Sequence, residues 1–320
     1  MRREYNERIS NEDTIHRITG HRIPEEPSNS GIRQHRPIIG TRCLDMNYRY
    51  LNVSRNGHIV TCTLSNPPTQ TLTAGGVSEI HQVLDDIEAD RSVRVLVFTG
   101  AGEEVFIAHY EVGELSVSAQ RNIETDSLTI TTGESEPELS EMHQLCLRLE
   151  QISAITIAAM NGTATGGGFE LCLACDFRLL AEGRYRIGLP ETSIGIIPGA
   201  GGTQRYARLL GTARALDLIL HAKLLTPAQA LEMGLVHRIY PTDCFLDEVE
   251  AFSVDIAGRS PVALAAAKQA IQQGSRLPLE EALLLEQRHF DRTMRSKDAA
   301  GAMRAYLNGS TKTPYEWQGE

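Results

Sequence analysis

NGTATGGGFELCLACDFRLLAEG, residues 161–183, is the stretch on which the fold turns. Its glycines Gly166, Gly167 and Gly168 follow a β-rich run, Ala154–Met160, that Asn161-Gly162 breaks, and they precede an apolar, helix-compatible run, Leu171–Cys175. Removing three successive Cβ atoms at a turn lets backbone N–H groups approach a ligand closely. A helix starting there adds its positive N-terminal end. Such a place stabilises an anion or a developing oxyanion. Glu170 lies three residues past the middle glycine, near enough to act on the same ligand. From this segment alone, a tight turn with a capping glutamate explains the pattern as well.

A second stretch follows, GLPETSIGIIPGAGGTQRYARLLG at 188–211. So many Gly and Pro residues among apolar Ile194, Ile196 and Ile197 read as a packed, shaped loop that could wall a pocket. Pro190 fixes the approach of Glu191, and two glutamates on two such loops suit paired acid/base work. A third glycine site, Gly100-Ala101-Gly102 after the strand-like Val93–Phe98, has the start of a dinucleotide fingerprint. The third glycine of that motif would fall at Val105, and Glu103-Glu104 would repel a pyrophosphate, so the reading fails. No GxSxG, P-loop, HExxH or EF-hand loop competes.

Outward from these motifs the chain alternates. Tyr50–Val53 and Ile59–Leu64 read as a hairpin around Asn56-Gly57. Val77, Ile80, Leu84 and Ile87 form one helical stripe, and Met142, Leu145, Leu149 and Ile152 another. Ser116–Ser140, rich in Ser, Thr and Glu, reads as a surface loop. Thr226-Pro227 and Ser260-Pro261 are helix starts, with Gly234 and Gly274 as stops. Leu279, Ala282, Leu283 and Phe290 suggest a longer amphipathic helix, and no strand signal appears after about Tyr240. The fold class is α/β. Residues 1–46 read as a disordered extension without apolar periodicity, 47–250 as the core, and 251–320 as a helical region.

The 320 residues carry 31 basic and 41 acidic side chains, a net charge of −10. Nucleic acid and anionic membranes call for clustered Lys and Arg, so neither is an expected partner. No apolar run approaches the ~20 residues of a membrane span. The N-terminus lacks an apolar signal region, and Glu4, Glu7, Glu12 and Asp13 argue against a mitochondrial presequence. Cys43, Cys62, Cys146, Cys172, Cys175 and Cys244 lie scattered in the chain, which suits reduced thiols and a cytoplasmic location. The lone Cys172-x-x-Cys175 pair has no second pair to complete a structural zinc site, so no metal is expected.

Together the two glycine-rich stretches closely resemble the signature of the crotonase (enoyl-CoA hydratase/isomerase) superfamily. The flanking RVLVFTGAGEEVF and LTPAQALEMGLVHRIYP agree, and the similarity runs from about Asn52 to Leu307. The resemblance implies a spiral of ββα units with a C-terminal helical trimerisation region, in homotrimers or hexamers. It implies an acyl-CoA thioester substrate and no cofactor, CoA being part of the substrate. By position, the backbone N–H groups of Tyr110 and Gly167 match the oxyanion hole. Glu170 and Glu191 match the two catalytic glutamates of the hydratases, and Ala108, His109, Gly166, Gly168, Pro190 and Gly199 match substrate-binding positions. The chain departs from the family's A-G-x-D motif, reading Ala108-His109-Tyr110-Glu111, and has Val112-Gly113 where many members carry a CoA-binding lysine. Arg121, Arg205, Lys268 and Lys312 are then the candidates for meeting CoA phosphates. Hydration of an enoyl-CoA is the expected activity. The alternatives are another reaction on a CoA thioester (isomerisation, hydrolysis or C–C cleavage) and binding without turnover.

Overall fold

The computed structural model describes residues 48–124, 138–309 and 315–320. The expected N-terminal extension, Lys312 and Cys43 lie outside them.

Strands β1 (Leu51–Asn56) and β2 (Ile59–Leu64) form the expected hairpin, with Asn56 opposite Ile59. Its two-residue turn is possible because Gly57 takes φ +57°, a region open to glycine. Helix α1 (Ala74–Ala89), capped by the Thr73 side chain on Gly76 N–H, buries Val77, Ile80, Leu84 and Ile87, the predicted stripe. Then come β3 (Val95–Gly100), β4 (Val105–Ile107), α2 (Val112–Glu124) and α3 (Glu141–Gln151). They are followed by β5 (Ile155–Met160), β6 (Thr163–Thr165), α4 (Gly166–Ala174), β7 (Phe177–Ala181) and β8 (Ile187–Gly188). A 3-10 turn at Glu191–Ile194 leads to α5 (Gly202–Leu210) and α6 (Thr212–Leu220). Next are β9 (Leu224–Leu225), α7 (Pro227–Glu232) and β10 (Arg238–Tyr240). Helices α8 (Phe245–Ala257), α9 (Pro261–Gly274), α10 (Leu279–Met294) and α11 (Lys297–Leu307) complete the order.

The strands sort into two sheets, β1-β2-β3-β5-β7-β10 and β4-β6-β8-β9. Three times the chain runs one strand through the large sheet, the next through the small sheet, then a helical segment: β3-β4-α2, β5-β6-α4, and β7-β8 before the 3-10 turn. That repetition is the spiral of ββα units. Strands β3 and β5 are buried at every position and lie parallel, as strands covered on both faces do. The end of β3 is tied down by Asn161, whose side chain accepts from Gly100 N–H at 3.0 Å and donates to the Gly100 and Gly102 carbonyls. Gly100-Ala101-Gly102 is therefore a clamped turn.

One expectation is corrected. The stretch from Ser116 is not loop: α2 carries through to 124, and only 125–137 lie outside the described residues. Glu111 starts this helix, accepting Gly113 N–H on its carboxylate at 3.1 Å and Leu115 N–H on its carbonyl at 3.4 Å. The serines and glutamine that dilute the apolar pattern hid the helix, whose apolar residues Val112 and Leu115 face a cavity.

Cys62, Cys146, Cys172 and Cys175 are buried free thiols, and burial pushes Cys175 up to about 12. Two suggested phosphate contacts are consumed internally. Lys268 pairs with Asp176 at 2.7 Å and donates to the Leu149 and Ala154 carbonyls. Arg205 bonds Glu150 at 2.7 Å. Arg121 lies in the last turn of α2.

Candidate active site

Each glycine of the 166–168 run has its own physical reason. Gly166 opens α4 at φ +51°, and a Cβ there would sit 3.2 Å from Glu191 Oε1 and 3.6 Å from His109 Cβ. A Cβ on Gly167 would meet Tyr110 Cβ at 2.9 Å. A Cβ on Gly168 would overlap Ile107, side chain and carbonyl, at 2.7 Å. The three absent side chains let β4 and the segment after it lie directly on the start of α4.

That contact places two amides together. Leu72 forms a bridge to Tyr110 in which Leu72 N–H donates to the His109 carbonyl and Glu111 N–H donates to the Leu72 carbonyl. The groups of the flanking residues are used, so Tyr110's own N–H points away from Leu72. Tyr110 N lies 3.5 Å from the Cβ position of Gly167. Gly167 is the second residue of α4, where N–H groups have no partner inside the helix. The Tyr110 amide thus lies beside the N-terminus of α4. His109 is accommodated without strain, since its φ is not positive. Its Nδ1 lies 2.7 Å from the Tyr110 carbonyl, which can only accept, so Nδ1 carries the proton.

The two glutamates share the cavity but not their surroundings. Glu170 Oε1 accepts Ala200 N–H at 2.8 Å and Gly202 N–H at 2.7 Å, and Gly199 N–H also donates to the carboxylate. Arg205 holds that loop in place by donating to the Ala200 carbonyl at 2.9 Å. Burial leaves Glu170 raised overall, and these N–H groups and Arg205 offset part of that rise. Both oxygens of Glu191 are buried without a well-formed hydrogen bond among the described residues, and only its own backbone N–H lies near enough to oppose the effect of burial. Burial, reinforced by the Glu170 charge, pushes it up to about 7.

A cavity of about 670 Å³ joins these groups. His109, Tyr110, Gly166, Gly167, Glu170, Pro190, Glu191 and Gly199 all line it, so most of the residues picked out from sequence meet at one place. Ala108 and Gly168 do not line it. Ala108 is tied to the Gln70 carbonyl and to the Thr165 hydroxyl, and Gly168 packs on Ile107. Val77, Val112, Leu115 and Met142 also line the cavity; Val77 and Met142 escaped sequence reading because they look like ordinary core stripes, and Val112 and Leu115 because their helix was hidden. The Tyr110 hydroxyl donates to Glu114, and burial with that contact pushes it up to about 12. Ile194, Ile196 and Ile197 are exposed by 58%, 41% and 67%, against the expectation of a packed loop, but they line the cavity, as expected of a loop that walls a pocket. No group of His, Cys, Asp and Glu among the described residues could hold a metal. No helix among them is long and apolar enough to cross a membrane.

A family model described as enoyl-CoA hydratase/isomerase matches residues 54–319. The short-chain-enoyl-CoA hydratase of Clostridium acetobutylicum is 31% identical over 80% of this chain and 93% of its own length. The 2,3-dehydroadipyl-CoA hydratase of Escherichia coli is 34% identical over 82% of this chain and 96% of its own. The crystal structure of an enoyl-CoA hydratase from Bacillus anthracis superposes with a TM-score of 0.76 at 31% identity, covering 85% of this chain and all of that one.

Proposed function

This chain belongs to the enoyl-CoA hydratase/isomerase (crotonase) family, and from that premise we propose that it adds water across the 2,3 double bond of an acyl-CoA thioester. The observation that carries the reading is the convergence of two carboxylates of unlike environment on one cavity beside two backbone donors. Unlike environments separate acid from base. Glu170, held by N–H donors that favour its ionised form, takes the proton from water as that water attacks the β-carbon. Glu191, whose burial outweighs its own backbone N–H and raises it to about 7, gives its proton to the α-carbon. Between those events the thioester oxygen carries negative charge, and the N–H groups of Tyr110 and Gly167 stabilise it. Isomerisation needs one proton carrier, and the presence of two favours hydration.

The same reading includes no cofactor, a cytoplasmic enzyme, and assembly into homotrimers or hexamers through the C-terminal helices. Exposed apolar residues on α6 and α10, among them Leu216, Leu220, Leu283 and Leu284, support a self-association surface. Light scattering on the purified chain reads the oligomeric state.

The test of the activity is a panel of enoyl-CoA thioesters differing in acyl length and branching. Loss of the enoyl absorbance with gain of one water by mass is the expected result. Thioester binding without turnover across the panel would overturn it.

A further inference from the structure

Glu150, near the end of α3, is buried, and each of its carboxylate oxygens is taken by an arginine. Oε1 accepts from Arg205 Nε of α5 at 2.7 Å. Oε2 accepts from Arg276, in the turn between α9 and α10, at 2.5 Å. None of the three lines the cavity. Apolar residues of similar volume commonly hold a fold as well as a buried ion pair does, so this cluster calls for a use beyond stability.

The path from it to the cavity is continuous. Arg205 Nη1 donates to the Ala200 carbonyl at 2.9 Å, and Ala200 N–H donates to Glu170 Oε1 at 2.8 Å. Gly201, at φ +94°, makes room for the guanidinium, since a Cβ there would overlap Arg205 Nη1. The Arg205 fork thus spends Nε on Glu150 and Nη1 on the loop, two bonds in fixed planar geometry that a lysine cannot reproduce. Its charge also acts on Glu170 in the same direction as the loop amides. The other titratable groups around Glu170 are few. Glu191 faces it across the cavity, which His109 and Glu141 also line. On α3, besides Glu150, the Cys146 thiol lies 3.9 Å from the Glu170 carbonyl, and burial pushes it up to about 12. Tyr206 of α5 packs on Phe169, and Arg208 of α5 is exposed. Arg178 of β7 is spent on the carbonyls of Leu235, Cys172 and Cys175. Strands β4, β6 and β8, which also pack on α4, carry no titratable side chain.

We propose that Arg205, locked by Glu150, is a positioning residue for Glu170, holding the Ala200 amide against the base. Through Arg276 the same grip is anchored in the turn between α9 and α10, so three charged side chains in contact tie the C-terminal helices to the catalytic carboxylate. Loosening the grip displaces the base and raises its proton affinity, so more of it is already protonated at low pH. Substrate binding, which these residues do not touch, is left alone. The inference rests on the hydratase reading only for the role of Glu170 as base.

Arg205→Met tests it, with Arg205→Lys, Glu150→Met, the Glu150→Met/Arg205→Met double variant, and Arg148→Met as a control. Arg148 is an α3 arginine whose ion pairs run to Asp85 and Glu88 on α1. In Arg205→Met, KM should stay within twofold and kcat at pH 7 should fall about tenfold to a hundredfold, as for a small misplacement of a catalytic group. The acidic limb of its pH profile should move up by about one pH unit. Arg205→Lys keeps the charge without the fork and should fall between it and wild type. The double variant strands no buried charge, since Arg276 is 44% exposed, so it keeps the test open if Arg205→Met folds poorly. Its kcat and limb should match those of Arg205→Met, because Glu150 acts only through Arg205. Arg148→Met should lower Tm and leave the limb unmoved. An unmoved limb in the double variant, an equal shift in Arg148→Met, or a Glu150→Met loss that adds in full to that of Arg205→Met would overturn the proposal. If the wild type turns over no enoyl-CoA, the hydratase reading fails by itself. Isotope-edited infrared titration of the Glu170 carboxyl, assigned by its absence in Glu170→Gln, needs no turnover and still decides. A higher titration point in the double variant supports the grip, and an unchanged one overturns it.

Discussion

Replacing Glu170 by Gln and by Ala separates what this side chain does for chemistry from what it does for the fold. In Glu170→Gln the amide oxygen can still accept Ala200 N–H at 2.8 Å and Gly202 N–H at 2.7 Å, so the loop after the cavity keeps its anchors. Only the charge and the basicity are lost. A positioned general base contributes about 10²–10⁴-fold. The predicted loss in kcat is therefore about 10³-fold, or about 4 kcal/mol of barrier, with Tm within a few degrees of wild type. In Glu170→Ala two buried N–H groups lose their acceptor. At about 1–3 kcal/mol for each unsatisfied donor, that variant should lose roughly 2–6 kcal/mol of stability as well as activity. The Gly202 amide has little freedom to compensate, because its Cβ position already lies 2.7 Å from Leu189 Cδ1. The assay pairs enoyl-thioester absorbance loss with denaturant unfolding of the three proteins. A Glu170→Gln enzyme with more than a tenth of wild-type kcat would refute Glu170 as the base. Equal stability of Glu170→Ala and Glu170→Gln would refute its structural role.

Other consequences follow from the same geometry. Glu191 sits near 7 in the folded chain, so activity should fall as pH rises through about 7, and Glu191→Gln should abolish that limb along with most of kcat. A carboxyl raised on folding binds more protons in the native state than in the unfolded one. Its effect on stability is therefore absent below the unfolded value near 4.5 and grows unfavourable as pH rises toward 7. Glu191→Gln should accordingly unfold about 1–3 kcal/mol later than wild type at pH 8 and equally at pH 4, as read by urea titration. Lys268→Ala leaves the half-buried Asp176 without its 2.7 Å partner, with only Thr156 and Gln272 still donating to it, and should cost about 2–4 kcal/mol in the same measurement. Gly168→Ala should give little folded protein, because its methyl overlaps Ile107 at 2.7 Å, whereas at Gly199 the nearest atom is 3.9 Å away and alanine should leave Tm unchanged.

Much of this was legible in the chain itself. The hairpin at Asn56-Gly57, the α1 and α3 stripes and the capped starts of α7 and α9 are local devices, set by turn chemistry and periodicity over a few residues. The glycine-rich stretches were conspicuous for the same reason, since close backbone approach leaves its mark at the residue that must lack a Cβ. Helix α2 was not legible, because its start depends on Glu111 and it has no buried stripe: its apolar Val112 and Leu115 are exposed and line the cavity.

By itself, then, the sequence determined the α/β alternation, the places where backbone must lie close, and Glu170 and Glu191 as the two carboxylates worth pairing. Only the tertiary structure decided that they differ. Glu170 owes its donors to Gly199, Ala200 and Gly202, about thirty residues further along, and Glu191 owes its raised titration to burial that outweighs its own backbone N–H. The same holds for the lysine and arginine that seemed free to meet phosphates and turned out to be bonded inside the protein. Identity and spacing are properties of the chain, but desolvation and hydrogen-bond partners arise where distant segments meet, and those set the proton affinities that the chemistry uses.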